Sequence, residues 1–258
     1  MFISKLRFRL NFDQNMAQIL EKNYSINFDN FKRPNNIIKF IILHYTGMKS
    51  ENDSISRLKD HKSKVSSHYF IKNNGKIIEL VPERYIAWHA GKSSWKKFRS
   101  LNKSSIGIEI QNPGHDYRYK SFNKKQIKSL INLLKNIKSK YNISNKNILG
   151  HSDIAPERKK DPGEKFPWKY LSKFNLAIWH NINLKKCKET RNMVIDSKDC
   201  KIFLNNLYKI GYSKIYKYDK INNLRFLTIA FQRRFRQELV NGIVDKECLL
   251  ISDKLKKY

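Results

Sequence analysis

The sequence predicts an α/β domain with a central mixed β-sheet flanked by helices, followed by a small C-terminal module of three helices. Residues 36–45 form a nearly continuous apolar run, which is typical of a strand buried on both faces. Shorter strand patterns then alternate with helical ones, as in α/β domains. Beyond about residue 196 only helical patterns remain.

The first elements after this strand are a short helix and a hairpin. Asp53 is a candidate N-cap for a helix that runs to about Lys62. Residues 66–80 predict a hairpin with Asn73-Asn74-Gly75 as its turn. The segment Ser105–Ile110 alternates like a strand, so Gly107 and Glu109 share the face opposite its isoleucines.

A long amphipathic helix and a short strand come next. Apolar residues recur at helical spacing from Asn123 to Tyr141, with lysines opposite. Such a helix can lie on a membrane, but packing against a core is the ordinary interpretation. Residues 147–149 predict a strand that leads to His151, and Trp168 to about Asn181 predicts a closing helix.

The domain boundaries follow from changes in composition. We expect an N-terminal extension over residues 1–35, an α/β domain over 36–182, a Lys- and Asn-rich linker over 183–196 and a helical module over 197–258. Within the module, helical patterns cover residues 198–210, 223–237 and 245–256. Gly211 and Asn241-Gly242 separate them as turns.

Composition limits the class of protein. The chain has 258 residues, 40% of them hydrophobic, so a sizeable folded core is expected. A net charge of +31 would favour an anionic partner such as nucleic acid, but the lysines are spread along the chain, which favours a diffuse solvated charge. Neither a secretory h-region nor an apolar run long enough for a membrane span is visible. The three cysteines have no metal-knuckle spacing.

The stretch from Gly150 to Gly163 carries the strongest signal for a functional site. It holds His151 and, ten positions later, Asp161. Pro156 at one end and Pro162 at the other predict a stiff loop rather than a helix. A stiff loop can aim the two side chains at one point.

A third ligand would complete a metal site, and His44 at the end of the first strand is the best candidate. Two histidines, one carboxylate and an open position are a common zinc set in hydrolases. The alternative is that each is an ordinary buried or polar residue. Glu109 is a candidate general base for an attacking water, and Lys159 could stabilise an oxyanion. His68 and His89 could bind substrate or hold the other site residues in position. Gly107 would leave room for substrate beside Glu109.

Several segments resemble one family of hydrolases. They are Ile42–Thr46, Ser67–Ile71, Ala87–Gly91, Ser105–Glu109 and the His151–Gly163 loop. In order, they resemble the zinc-dependent N-acetylmuramoyl-L-alanine amidases of the AmpD/AmiD branch, whose fold is shared with phage lysozyme-type amidases and peptidoglycan recognition proteins. The resemblance covers about residues 36–180.

The resemblance implies one zinc ion held by His44, His151 and Asp161, with Glu109 as catalytic carboxylate and Lys159 as oxyanion-stabilising residue. The implied reaction is hydrolysis of the amide between N-acetylmuramic acid and L-alanine, in peptidoglycan or in muropeptides with a 1,6-anhydro sugar. The module is similar to a small peptidoglycan-binding module, which favours polymer as substrate. The missing signal favours recycled fragments inside the cell. The expected location is the cell envelope or outside the cell, reached by a route without a visible signal peptide, with the cytoplasm as the alternative.

Two other functions fit parts of the sequence. A non-catalytic murein receptor would use the same cleft, although such receptors usually lose a metal ligand. A basic nucleic-acid-binding protein would explain the charge and would bind duplexes with a steep salt dependence. The five site positions favour the amidase, in which no nucleic acid takes part. Oligomeric state, stem-peptide preference and the need for the anhydro sugar stay open.

Overall fold

The structure is a computed structural model, and it describes residues 20–217 and 219–258. Residues 1–19 of the predicted N-terminal extension lie outside the described residues. The strands are β1 (Leu20–Lys22), β2 (Phe28–Asp29), β3 (Phe40–Tyr45), β4 (Tyr69–Ile71), β5 (Ile77–Glu79), β6 (Ile86–Ala87), β7 (Ser94–Trp95), β8 (Phe98–Arg99), β9 (Ser105–Ile110) and β10 (Ile148–Gly150). The described helices are α1 (Glu51–Lys59), α2 (Lys124–Lys140), α3 (His151–Ile154), α4 (Trp168–Ser172), α5 (Leu184–Thr190), α6 (Ser197–Ile210), α7 (Lys220–Phe235) and α8 (Lys246–Leu255).

Six strands form the central mixed sheet in the order β1-β5-β4-β9-β3-β10. Only the predicted hairpin of β4 and β5 is antiparallel, and the other neighbours run parallel. The strand β3 lies between β9 and β10, and its residues 40–44 are all buried. This confirms the prediction of a mixed sheet with a strand covered on both faces.

The long helix α2 was predicted to within one residue at each end. It begins after Asn123, which forms a capping box with Gln126, and its apolar side is buried against the sheet. Pairs β2–β6 and β7–β8 form two small separate sheets.

Three local predictions are wrong. The N-cap of α1 is Ser50, whose side chain accepts a hydrogen bond from the Asp53 backbone, so Asp53 lies in the first helical turn. The predicted loop after Gly150 begins with the helical turn α3, because its prolines come only later. The closing helix α4 stops at Ser172, and Asn175 then adopts a left-handed backbone with φ of 57°.

The C-terminal helices pack on the α/β domain and share its core. Side chains such as Phe203 in α6 and Phe231 in α7 belong to the same buried apolar cluster as Ile41 in β3. Gly211, which ends α6, lies against Trp95, and a Cβ atom there would come within 2.4 Å of the indole ring. The segment predicted as a linker contains α5. The C-terminal module therefore packs directly on the α/β domain and is not held apart from it by an extended linker.

No helix among the described residues is both long enough and apolar enough to cross a bilayer.

Candidate active site

The sheet register places two of the predicted site residues side by side. His44 in β3 pairs with Glu109 in β9, so both side chains lie on the same face of the sheet. His151 is the first residue of α3 directly after β10, the other neighbour of β3. The loop then returns Asp161 to the same point.

Three side-chain atoms meet there. The Nδ1 atoms of His44 and His151 lie 2.9 Å apart, and Asp161 Oδ2 is 2.9 Å from the first and 3.1 Å from the second. All three residues are buried. Among the described residues, this is the one group of three or more His, Cys, Asp or Glu side chains that could hold a metal ion.

The hydrogen-bond network fixes which nitrogen of His44 carries the proton. The Ser105 hydroxyl donates to the Leu101 carbonyl at 2.7 Å, so it must accept from His89 Nε2 at 3.1 Å. The neutral His89 ring then accepts at Nδ1 from His44 Nε2, also at 3.1 Å. His44 Nδ1 is therefore left with a lone pair that points at the cluster.

The same reasoning applies to His151. Its Nε2 lies 3.1 Å from the Ala90 carbonyl, which can only accept, so the neutral ring presents a lone pair at Nδ1. Arg158 also donates to the Ala90 carbonyl, at 2.6 Å, and holds this segment in place. Three acceptors without a proton between them repel one another. A cation bound among them would offset this repulsion, so the three atoms are suited to hold one.

Burial keeps the His44 ring neutral. Burial, with a smaller effect of His151, lowers the pKa of His44 to about 4, so the ring is neutral at pH 7. Two neutral nitrogens and one carboxylate are the ligand set that catalytic zinc commonly takes.

Glu109 faces the same cleft, and its surroundings disfavour the charged form of its carboxyl group. Its Oε2 atom is buried and has no hydrogen-bond partner. Burial, reinforced by the charge of Asp161, raises the pKa of the Glu109 carboxyl well above its ordinary value. A carboxyl group with a raised pKa in a cleft is suited to accept and return a proton near neutral pH.

The cleft itself has a volume of about 720 Å³. Its lining includes the three cluster residues, His89, Glu109 and Lys159, together with Trp88 on the rim. Lys159 lines the same cleft as His44 and Glu109, so its ammonium group can act on the site through its charge. Apart from Trp88, these are the residues that the sequence predicted for the site, and the structure places them around one cleft.

His68 lies elsewhere. It is fully buried, accepts a hydrogen bond from the Gly107 backbone at Nδ1, and has Nε2 beside the Tyr85 carbonyl. No part of it lines the cleft, so its position suits support of the sheet rather than contact with substrate. His89 does line the cleft, but its ring nitrogens are engaged with His44 and Ser105.

Gly107 does not leave room for substrate, as the sequence suggested. The ring of His89 occupies that space, and a Cβ atom at Gly107 would lie 2.4 Å from His89 Cγ. The glycine therefore allows His89 to reach His44.

We expect Gly107→Ala to displace His89 and weaken metal binding. Overpacking of this kind typically destabilises a fold by about 1–3 kcal/mol, and His44 would lose the partner that fixes its tautomer. Chelator competition measures the metal affinity. Ile108→Val, on the other face of the same strand, should lower stability but not that affinity. Equal affinities in the two variants would contradict this reading.

The metal-free protein should lose stability as the pH falls from 7 towards 5. Burial lowers the pKa of His44 and His180 to about 4 and those of His68 and His89 well below 6.5. Between these values and pH 6.5 the unfolded chain binds protons that the folded chain does not, so the free energy of unfolding falls as the pH is lowered. The raised pKa of Glu109 has the opposite effect, because there the folded chain holds a proton that the unfolded chain has lost.

Thermal melts at pH 7, 6 and 5 measure the effect. The free energy of unfolding should fall by more than the ~1.4 kcal/mol per pH unit expected of a single group. Replacing the exposed His61 with alanine should leave the slope unchanged. A flat profile would show that the buried histidines are not held neutral.

Sequence reasoning missed a second group beside the cleft. The hydroxyl of Tyr45 lies 2.8 Å from His115 Nδ1, and His115 Nε2 lies 3.1 Å from Glu164 Oε2. Tyr119 donates to the Pro162 carbonyl at 2.7 Å. These contacts tie the end of residues 151–166, the candidate metal-binding loop, to β3. His115 stood alone in the sequence, where no motif marked its partners.

This fold, with three convergent lone pairs beside a buried carboxylate, defines a hydrolase whose site can hold a metal ion. Residues 33–164 match the family described as N-acetylmuramoyl-L-alanine amidase. The chain belongs to this family, and it is an N-acetylmuramoyl-L-alanine amidase, as the sequence predicted.

Relatives and solved structures agree with this assignment. N-acetylmuramoyl-L-alanine amidase AmiD of Escherichia coli is 36% identical over 238 residues, which cover 86% of this chain and 83% of that protein. The 1,6-anhydro-N-acetylmuramyl-L-alanine amidase AmpD of Haemophilus influenzae is 33% identical over 164 residues, covering 55% and 85%.

Among solved structures, E. coli AmiD in complex with the substrate anhydro-N-acetylmuramic acid-L-Ala-D-gamma-Glu-L-Lys has a TM-score of 0.75 at 33% identity and covers 89% of this chain and 91% of its own. AmpDh3 from Pseudomonas aeruginosa has a TM-score of 0.74 at 31% identity, covering 88% and 93%.

Proposed function

We propose that this amidase is zinc-dependent and that His44, His151 and Asp161 hold the ion. The observation that carries the proposal is the convergence of three lone pairs whose hydrogen-bond partners leave no proton between them. Bound zinc would lower the pKa of a water molecule and polarise the carbonyl group of the scissile amide.

Glu109 moves the protons in this proposal. Its carboxylate takes a proton from the attacking water as the new C–O bond forms at the lactyl carbonyl of N-acetylmuramic acid. It then delivers that proton to the nitrogen of L-alanine as the C–N bond breaks, so the stem peptide leaves as a free amine. The raised pKa of Glu109 supports both transfers, since it lets one group act as base and then as acid.

Lys159 would stabilise the negative charge that develops on the carbonyl oxygen. A fixed cation favours the transition state over the ground state because that charge is present only after attack. Its place in the cleft lining supports this role.

We expect Lys159→Met to lower kcat by about 10²–10³-fold, which is the typical effect of removing one oxyanion donor. Zinc content should stay the same, because Lys159 is not a ligand. Lys128→Met on the exposed side of α2 serves as the control. If kcat were unchanged, or fell only together with the zinc content, Lys159 would have no role of its own in the reaction.

For the substrate, we propose muropeptides that carry 1,6-anhydro-N-acetylmuramic acid, with peptidoglycan as the second candidate. The substrate named in the AmiD complex and the name of AmpD support the anhydro sugar. The predicted wall-binding role of the C-terminal module supports polymer.

Mass spectrometry of products decides between them. Zinc-loaded protein and His151→Ala are incubated with soluble anhydro-muropeptides and with intact sacculi. Stem peptides that begin with L-alanine, absent with the variant, are expected from the anhydro-muropeptides. Release from sacculi as well would fit an envelope enzyme, and release from fragments alone would fit cytoplasmic recycling. Release from neither by the zinc-loaded protein would overturn the proposal.

A further inference from the structure

The helix α7 of the C-terminal module contacts the metal-binding loop at both ends. Arg234 in α7 bonds to Asp153, two residues after His151. Gln237, just after α7, donates to the Phe166 carbonyl at 2.7 Å, and Arg233 Nε lies 4.0 Å from Glu164 at the other end of the loop.

We infer that the C-terminal module is a positioning element for the metal site, acting through Arg234 and Tyr212 on the turn that carries His151. The inference rests on the proposed metal site. It goes beyond that site because it assigns a role in metal binding to residues that touch neither metal nor substrate.

Asp153 is the point of attachment. It is 1% exposed and each of its oxygens is bonded. Oδ2 accepts from Arg234 Nη1 at 2.6 Å and from the Gly150 backbone at 2.7 Å, while Oδ1 accepts from the Tyr212 hydroxyl at 2.8 Å. Two of these three donors come from the module.

Arg234 is buried at the same contact and makes further interactions there. It is 2% exposed, its Nη2 atom donates to the Ile148 carbonyl at 3.0 Å, and its guanidinium lies 4.5 Å from the centre of the Trp168 ring. Ile148 begins β10, which leads directly into His151. One side chain of the module therefore holds both the strand before His151 and the turn after Gly150.

Loss of Arg234 would leave the Asp153 carboxylate buried without its charged partner. Removing one member of a buried ion pair is strongly destabilising, because the remaining charge must be solvated or moved. We expect the short turn α3 to shift towards water in response. That shift would carry His151 away from His44 and Asp161.

The chain offers a matched control two residues further on, at the residue that follows α7. Arg236 is also buried and also makes a buried ion pair, with Asp245 Oδ2 at 2.9 Å, but that pair lies wholly within the module. Arg234→Met and Arg236→Met thus remove the same kind of interaction, and only one of them reaches the metal-binding loop.

The test measures zinc affinity of the full chain by chelator competition, together with the visible absorption spectrum of the Co²⁺-substituted protein. Arg234→Met should weaken zinc binding by about 10–100-fold, the range typical of partners that orient metal ligands, and should alter the Co²⁺ spectrum. Arg236→Met should keep the affinity and spectrum of the unchanged protein, even where its melting temperature falls as far.

Equal zinc affinities for Arg234→Met and Arg236→Met would overturn the inference. Should Arg234→Met fail to fold, Tyr212→Phe decides: it removes only the hydroxyl that donates to Asp153, and it should change the Co²⁺ spectrum and weaken zinc binding in the same direction. No change in Tyr212→Phe would also overturn the inference. Failure of the proposed metal site itself is distinguishable, because the unchanged protein would then not bind zinc.

Discussion

Glu109→Gln should lower kcat by about 10²–10⁴-fold while zinc binding and folding are retained. General acid–base catalysis contributes rate factors of this size, and the amide has nearly the same volume as the carboxyl group but cannot take up the proton. Stability should stay the same or rise, since Glu109 buries an oxygen that has no hydrogen-bond partner. Steady-state kinetics on an anhydro-muropeptide measures the effect.

The control for this variant is Glu157→Gln. Glu157 lies on the metal-binding loop but does not line the cleft, so the substitution removes the same charge without touching the proposed proton transfers. Its kcat should match that of the unchanged protein. A Glu109→Gln enzyme that keeps its kcat would show that another group moves the protons.

His151→Ala should weaken zinc binding and, with it, lower turnover. About 10–16 kcal/mol of zinc binding free energy is shared among the ligands of structural sites in zinc-finger peptides. By the same measure, losing one of three ligands should weaken binding on the order of 10²- to 10⁴-fold. The fold should survive, because the Ala90 carbonyl that His151 contacts keeps a hydrogen bond from Arg158.

Zinc stoichiometry after dialysis against a weak chelator, followed by product analysis, tests this expectation. His61→Ala is the control, because the His61 side chain is exposed, lies beside Asp60 and does not line the cleft. Turnover that persists in His151→Ala without bound metal would mean that this chain hydrolyses the amide by another route.

The sheet and the metal-binding candidates could be predicted because their signals are local. A run such as Ile41-Ile42-Leu43 has few alternatives to a doubly buried strand. The convergence of His151 and Asp161 could be predicted because prolines stiffen the segment that carries them. The pairing of His44 with Glu109 follows once β3 and β9 are neighbours.

The supporting contacts could not be predicted, because they join residues far apart in sequence and of ordinary type. Ser105 and His89 lie in segments that the sequence brought out, but their hydrogen bond and its part in fixing the His44 proton depend on ångström-scale positions. Asp153 and Arg234 are 81 residues apart. An arginine among so many basic residues gives no sign that it is buried.

Some errors have simple physical causes. The closing helix was predicted too long because the apolar residues Leu176, Ala177 and Ile178 continue after Ser172. They are buried, but as an irregular segment after the left-handed Asn175. These residues are buried although they form no helix. An apolar pattern in the sequence does not distinguish a buried helix from a buried irregular segment, because the difference lies in the backbone conformation.

The most direct test of the central claim is diffraction from crystals of the full chain at the zinc absorption edge. We predict one anomalous peak at about 2.0–2.2 Å from His44 Nδ1, His151 Nδ1 and Asp161 Oδ2, the distances usual for zinc with nitrogen and carboxylate ligands. A peak elsewhere, or none in zinc-loaded crystals that retain hydrolytic activity, would contradict it.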